Sequence, residues 1–476
     1  MLFTSQIFVL LIAVTFFLYY LRQLQQLQIY ILIISSLIFY AYFKPILLLL
    51  LLISIFLNTL GSYNIYFGQH RHRKSILAAC VTLNLLILAF FKYSPLFAHT
   101  FIKDSDNSIG SFLLTIPLPI GISFFTFEGI SLLVDTIRNN HSNKNIHDFK
   151  LHKSFYHHFL DVFLFVSFFP HLISGPILKA YQFLPQIRPK YLRDINWEKC
   201  VKLLIIGYFF KMVIADNLKE QTIYLNYPNF LKVPSPALIT MLCGFSMQIF
   251  ADFAGYSLIA LGLAALFGYE LNPNFNFPYI SASFAEFWQR WHISLSTFLK
   301  EYLYFPLGGN RKGKVRTYIN LFVVMLLGGL WHGAAWSYAI WGCFHGLALA
   351  IERLLADVGI KPKTSGVYKV FKILLVFLFV TVAWLLFKLP NIAYVGEYFV
   401  SLKKNLGIQI TPFWLRYMLF IVVYSMPVVF YHLYYLYKQS KKINIFSRYE
   451  FIGYGAMLFL IFTNSGVGGD FIYFQF

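Results

Sequence analysis

The stretch Ile319–Gly346, INLFVVMLLGGLWHGAAWSYAIWGCFHG, decides how the rest of the chain is read. It joins two apolar runs, at about 317–336 and 338–355, each close to the ~20 residues that cross the hydrocarbon of a bilayer. At their junction stands His332, apolar on both sides. Burying an ionisable group in such surroundings is costly, so these residues pair with a partner, face a cavity or do chemistry. Two readings follow for His332: a neutral imidazole hydrogen-bonded to another helix, or a working base. Gly328, Gly329, Gly333, Ala334 and Ala335 around it are small enough to let neighbouring helices approach closely.

The whole chain repeats the pattern of that junction. Of its 476 residues 58% are hydrophobic and 20% aromatic, and only 12% are charged, which is far from soluble-domain usage. Candidate spans read at roughly 4–21, 28–43, 45–60, 76–93, 111–136, 155–174, 199–217, 236–267, 317–336, 338–355, 369–389, 413–437 and 450–463, several of them too short or broken to cross cleanly. The expected fold is an all-α polytopic membrane protein. The first run has no small-residue cleavage site and leads directly into further apolar runs, so it is expected to be a retained span. No linker, low-complexity tract or repeat interrupts 1–476, so a single membrane-embedded domain is expected.

The formal net charge of +20 sits in short loops: HRHRK at 70–74, RNNHSNKNIHDFKLHK at 138–153, RPKYLR at 188–193, NRKGKVR at 310–316 and KQSKK at 438–442. Short basic loops between apolar runs are the positive-inside signature, which places the loops of Arg73, Lys144, Arg188, Arg311 and Lys441 in the cytoplasm and argues against a nucleic-acid partner. Cys80, Cys200, Cys243 and Cys343 lie in or beside apolar segments without C-x-x-C spacing, and imply neither a zinc site nor a disulfide framework.

Between about 165 and 350 the alternation of spans and basic loops breaks down, and the site is expected there. FPHLISGPILKAYQFLPQI, FADFAGYSLIALGLAALFGYELNPNFNFPYI and FAEFWQRWHISLSTFLKEYLYFPLGGNRKG mix apolar, Gly/Pro and polar residues, and irregular backbone at membrane depth needs protein or a watery cavity around it. In 284–303 the aromatic and aliphatic residues recur every three or four positions, with Trp288 and Trp291 among them, which predicts one amphipathic helix ending at PLGGN. His292 lies on it, either interfacial and hydrogen-bonded or functional. His345 is read either as a residue that orients His332 or as a structural one. Asp252 and Glu128 are carboxylates in long apolar runs, each able to hold a histidine or to pair with an intramembrane Lys or Arg. No H-E-x-x-H or paired-carboxylate spacing supports a metal.

WHGAAW at 331–336, read with FWQRWHISLSTFLKEYLYFPLGGNRKG upstream, resembles the membrane-bound O-acyltransferase family, in its bacterial polysaccharide-modifying branch. The likeness extends through PIGISFFTFEGISLLVD, FFPHLISGPILKAYQFLPQI, DFAGYSLIALGLAALFGYELNPNFNFPYI and the terminal FIYFQF. One departure is Gly255-Tyr256-Ser257-Leu258, where many relatives carry an acid in the fourth position, so no role for that acid is carried over.

The resemblance implies roughly 11–13 helical segments, some re-entrant or amphipathic, around a central tunnel. It implies His332 and His292 as catalytic histidines, with Trp331, Trp336, Trp291, Asp252 and His345 along the tunnel. It implies that no cofactor is permanently bound, and that an acyl group passes from a cytosolic thioester, typically acetyl-coenzyme A (acetyl-CoA), toward hydroxyls of a polysaccharide outside the bacterial inner membrane. It also implies an extracytoplasmic partner of the SGNH esterase fold, and an acyl-carrying tyrosine in the tail 464–476, which matches Tyr473. Two alternatives stand beside this reading: D-alanyl transfer from a carrier protein, and a proton-coupled glycan or lipid transporter.

Overall fold

The computed structural model describes residues 1–42, 44–102, 108–139, 149–173, 175–359, 366–440, 449–469 and 471–472. Among them there are helices and no strand. Eight helical stretches are long and apolar enough to cross a membrane: Arg22–Ala41, Leu47–Phe67, His70–Phe97, Ser235–Leu266, Lys314–His332, Trp336–Asp357, Val367–Lys388 and Pro412–Gln439. Their outer faces are exposed and apolar. Leu374 and Leu378, or Leu415, Leu419, Val422 and Phe430, line such faces, and stripes of this size on a helix surface are compatible with lipid and not with water. The chain is thus an all-α polytopic membrane protein.

Several expected spans resolve into shorter pieces. The run 111–136 divides into Ser108–Thr115 and Ile122–Asn139, because Pro117 and Pro119 cannot continue a helix. The run 155–174 stops at Ser167, three residues before Pro170. The run 199–217 extends instead, from Trp197 to Gln221, with a wider π-type turn at Phe209–Ala215. The basic-loop positions Lys144 and Lys441 lie outside the described residues.

The described chain groups into two compact units, Met1–Leu204 with Ile259–Asn272, and Ile205–Leu258 with Pro273–Phe476. In the first, the helices Leu47–Phe67, Arg73–Phe97 and Ile122–Asn139 pack together around a polar ladder. The amides of Asn58 and Asn84 pair at 3.0 and 3.3 Å, and Ser62 Oγ meets His158 Nε2 at 2.8 Å. Buried polar groups in a membrane helix are tolerated when they are matched in this way. Glu128, whose partner the sequence left open, holds His171: Oε1 lies 3.0 Å from Nδ1, and both side chains are fully buried. This pair ties the short turn Phe169–Leu172 to the helix Ile122–Asn139.

In the second unit the helices Lys314–His332 and Trp336–Asp357 pack most intimately. Their backbones touch where a Cβ on Gly329 would stand 2.9 Å from Gly342 Cα and N. No side chain fits between them there, so the expectation that small residues permit close approach is met at this pair.

Candidate active site

His332 is the last residue of its helix, and Trp336 the first of the next. The junction read from WHGAAW is therefore a tight reversal, with the imidazole held at the helix end and 5% exposed. Three rings surround it: Trp331 at 5.1 Å between centroids, Trp341 at 5.1 Å edge-on, and Phe387 at 5.0 Å. Edge-to-face packing of this kind fixes a ring plane without using its nitrogens.

The predicted amphipathic helix is broken at the residue that matters. Phe284–Arg290 and Ile293–Leu299 are separate helices, and His292 between them has φ of +43°. A non-glycine residue in the left-handed region is strained by ~1–3 kcal/mol and persists only where its surroundings impose it. The segment 274–276 imposes it here. Asn276 N–H donates to Arg290 O at 2.9 Å and Ile293 N–H donates to Asn274 O at 2.9 Å, one bond on each side of the break. The Asn274 side chain completes the brace: its Oδ1 accepts from Ser294 Oγ at 2.6 Å and Ser294 N at 3.4 Å, and its Nδ2 donates to Ser257 Oγ at 3.0 Å.

Turned inward by this break, His292 is fully buried, with Phe253 at 4.7 Å and Trp331 at 5.9 Å. Trp331 therefore contacts both histidines. Burial pushes the His292 imidazole well below its ordinary value, to about 3, so it is neutral at physiological pH.

The other expected residues fall into place unequally. Trp291 is buried and lies 4.9 Å from Trp384, which stacks at 5.8 Å on Trp341, so it joins the His332 cluster through two indoles. His345 is fully buried, 4.6 Å from Trp341 and 5.1 Å from Trp288. Neither of its ring nitrogens has a hydrogen-bond partner among the described residues, so it touches the site through Trp341 and makes no orienting hydrogen bond to His332. Trp336 is half exposed at the start of its helix and is not enclosed with the others. Asp252 resolves as a member of a buried ion pair, with Oδ1 2.9 Å from Lys211 Nζ, while Lys211 also meets Asp216 Oδ1 at 2.6 Å. Tyr473 lies outside the described residues.

Sequence reasoning missed Trp341, Trp384 and Phe387, whose helical spacing reads as ordinary core, and Asn274, one polar residue in a loop of three asparagines. Lys211 carried a usable signal: it is a lysine inside FFKMVIA, and intramembrane charges are rarely idle.

The model of the membrane-bound O-acyltransferase family matches residues 36–396. The chain is 38% identical over 402 residues to the probable alginate O-acetylase AlgI of Pseudomonas aeruginosa, covering 82% of this chain and 73% of the relative. It is 37% identical over 381 residues to the peptidoglycan O-acetyltransferase of Helicobacter pylori, covering 76% and 71%. It is 27% identical over 293 residues to the teichoic acid D-alanyltransferase of Bacillus subtilis, covering 60% and 69%. A family match over most of the chain, which includes both histidines, their shared tryptophan and the Asn274 brace, identifies the chain as an acyltransferase belonging to the membrane-bound O-acyltransferase family.

Proposed function

We propose that the chain is an O-acetyltransferase of the bacterial inner membrane that takes acetyl groups from cytosolic acetyl-CoA and delivers them toward the hydroxyls of an extracytoplasmic polysaccharide. The observation that carries this reading is the placement of Trp331 against both His292 and His332, all three enclosed in protein. An apolar enclosure of this kind keeps water from hydrolysing a thioester and keeps an imidazole neutral, as a general base must be.

In the proposed reaction His332 accepts the proton of a hydroxyl as its oxygen attacks the thioester carbonyl. The tetrahedral intermediate collapses, the C–S bond breaks, and the leaving thiolate takes the proton back from the imidazolium. His292, neutral and held across Trp331, is assigned the carbonyl oxygen, where its ring N–H would offset developing charge. The hydroxyl is assigned to Tyr473, whose phenyl ester is reactive enough to be passed on to a serine of an SGNH-fold partner outside the membrane. Support for acetyl transfer comes from the names of the relatives, which act on alginate and on peptidoglycan. The D-alanyl relative is more distant.

The test is incubation of membrane vesicles with labelled acetyl-CoA and, separately, with a D-alanyl-loaded carrier protein. Label transferred from acetyl-CoA and lost in Tyr473→Phe supports the proposal. Transfer from the carrier alone selects the D-alanyl reading, and a proton-driven solute flux without thioester consumption selects a transporter.

A further inference from the structure

The tail that precedes Tyr473 is built into the protein by a device the reaction alone does not explain. Lys211, Asp216 and Asp252 form a buried cluster in which one ammonium serves two carboxylates, and none of the three is more than 4% exposed. A buried acid in excess of its base is unfavourable unless its remaining oxygen is hydrogen-bonded. Asp252 Oδ2 is satisfied by the backbone N–H of Ile472, at 2.7 Å. The second acid of the cluster is thus matched to the tail and not only to the lysine.

The rest of the tail follows the same course. Asn217 Nδ2 donates to Asn464 O at 3.0 Å, Gly466 N–H to Met212 O at 2.9 Å, and Val467 N–H to Glu220 Oε1 at 3.3 Å. The approach at Gly466 leaves no room for a side chain, since a Cβ there would lie 2.7 Å from Asn217 N and Asp216 C. Two residues on, Gly468 has open space around it. Phe471 is fully buried, its ring 4.5 Å from Tyr256 and 5.6 Å from Phe253, and Phe253 is the ring that edges His292. Beside Ile472 a cavity of about 280 Å³ is lined by Asp252, Gln248, Lys388 and Phe387, and Phe387 is a ring neighbour of His332. An aromatic tail that served only to anchor the chain at the membrane interface would hold its rings at headgroup depth, not against the residue that packs on a catalytic histidine.

We infer that Asp252, paired with Lys211, is a positioning residue for acyl transfer that clamps the tail by the Ile472 amide. This rests on the proposed role of the tail in acyl transfer, so docking and transfer are measured separately. Full-length protein in nanodiscs is digested with a carboxypeptidase, and the trimmed C-terminus is followed by mass. In the wild type and in Gly468→Ala, trimming does not pass Ile472. In Gly466→Ala, whose added methyl group meets the Asp216–Asn217 backbone and displaces the tail without removing the acceptor, and in Asp252→Leu, which removes the acceptor, trimming runs on toward Asn464 at least ten-fold faster. Asp252→Asn keeps a carbonyl for the Ile472 amide and restores much of the protection. Transfer in Gly466→Ala is expected to show kcat reduced at least ten-fold with KM for acetyl-CoA unchanged, and Gly468→Ala is expected to behave as wild type. A tail in Gly466→Ala and Asp252→Leu that stays as protected as in the wild type overturns the clamp. Faster trimming with undiminished transfer leaves the clamp standing and overturns the tail's part in the proposed reaction.

Discussion

His292 offers a test of the site's construction that is independent of its chemistry. With φ at +43°, any L side chain at this position carries left-handed strain of roughly 1–2 kcal/mol, which glycine escapes. Glycine in turn loses more backbone entropy on folding, about 0.5–1 kcal/mol relative to alanine. His292→Ala and His292→Gly both remove the imidazole and its contacts with Phe253 and Trp331, so those losses largely cancel between them. The difference left is about 1 kcal/mol in favour of glycine, roughly five-fold in the ratio of folded to unfolded protein. Both variants are expected to lose turnover. The assay is equilibrium unfolding of the purified protein by SDS titration in mixed micelles, followed by tryptophan fluorescence. An alanine variant more stable than the glycine variant by about 0.5–1 kcal/mol, the entropy term alone, would show that the backbone at 292 carries no strain, and would remove the argument that Asn274 and Asn276 force the histidine inward.

Two further expectations concern the same residue. Asn274→Ala removes three side-chain hydrogen bonds around the break; at ~1 kcal/mol each the loss is about 2–3 kcal/mol, and turnover is expected to fall at least ten-fold with His292 still present, whereas full turnover in a folded Asn274→Ala would contradict the brace. The pH dependence has a definite sign: the folded His292 value lies at about 3, below the ordinary ~6.5, so protonation favours the unfolded chain and stability falls as pH drops from about 6.5 toward 3. By pH 5.5 this costs about 1.4 kcal/mol relative to pH 7.5 or above, measured as a loss in wild type that His292→Gly does not share.

How much of this was legible beforehand follows from which forces set each feature. Composition and apolar runs read the membrane-spanning character because a bilayer acts on every residue of a helix at once. His332 stood out because an imidazole between two apolar runs conflicts with its surroundings, and that conflict is visible locally. The break at His292 was hidden: FWQRWHISLS contains no glycine or proline, so its periodicity continues smoothly while the brace comes from Asn274, eighteen residues earlier. The alternatives for Asp252 could not be separated either, because the lysine that pairs with it and the tail amide that completes it lie 41 residues before and 220 residues after it. Trp336 was expected along the tunnel and Trp341 was not singled out, yet a helix places residues by angle and not by adjacency, and it is Trp341 that faces His332.

The central claim is that His332 is the base of acyl transfer. Its most direct test is the single-turnover rate of thiol release from acetyl-CoA by wild type and His332→Ala in nanodiscs, with folding of the variant established by the same SDS titration. The account predicts that the variant folds and that its rate falls by roughly 10²–10⁴, the usual contribution of a positioned general base. A folded His332→Ala enzyme that releases thiol at a near-wild-type rate would contradict it.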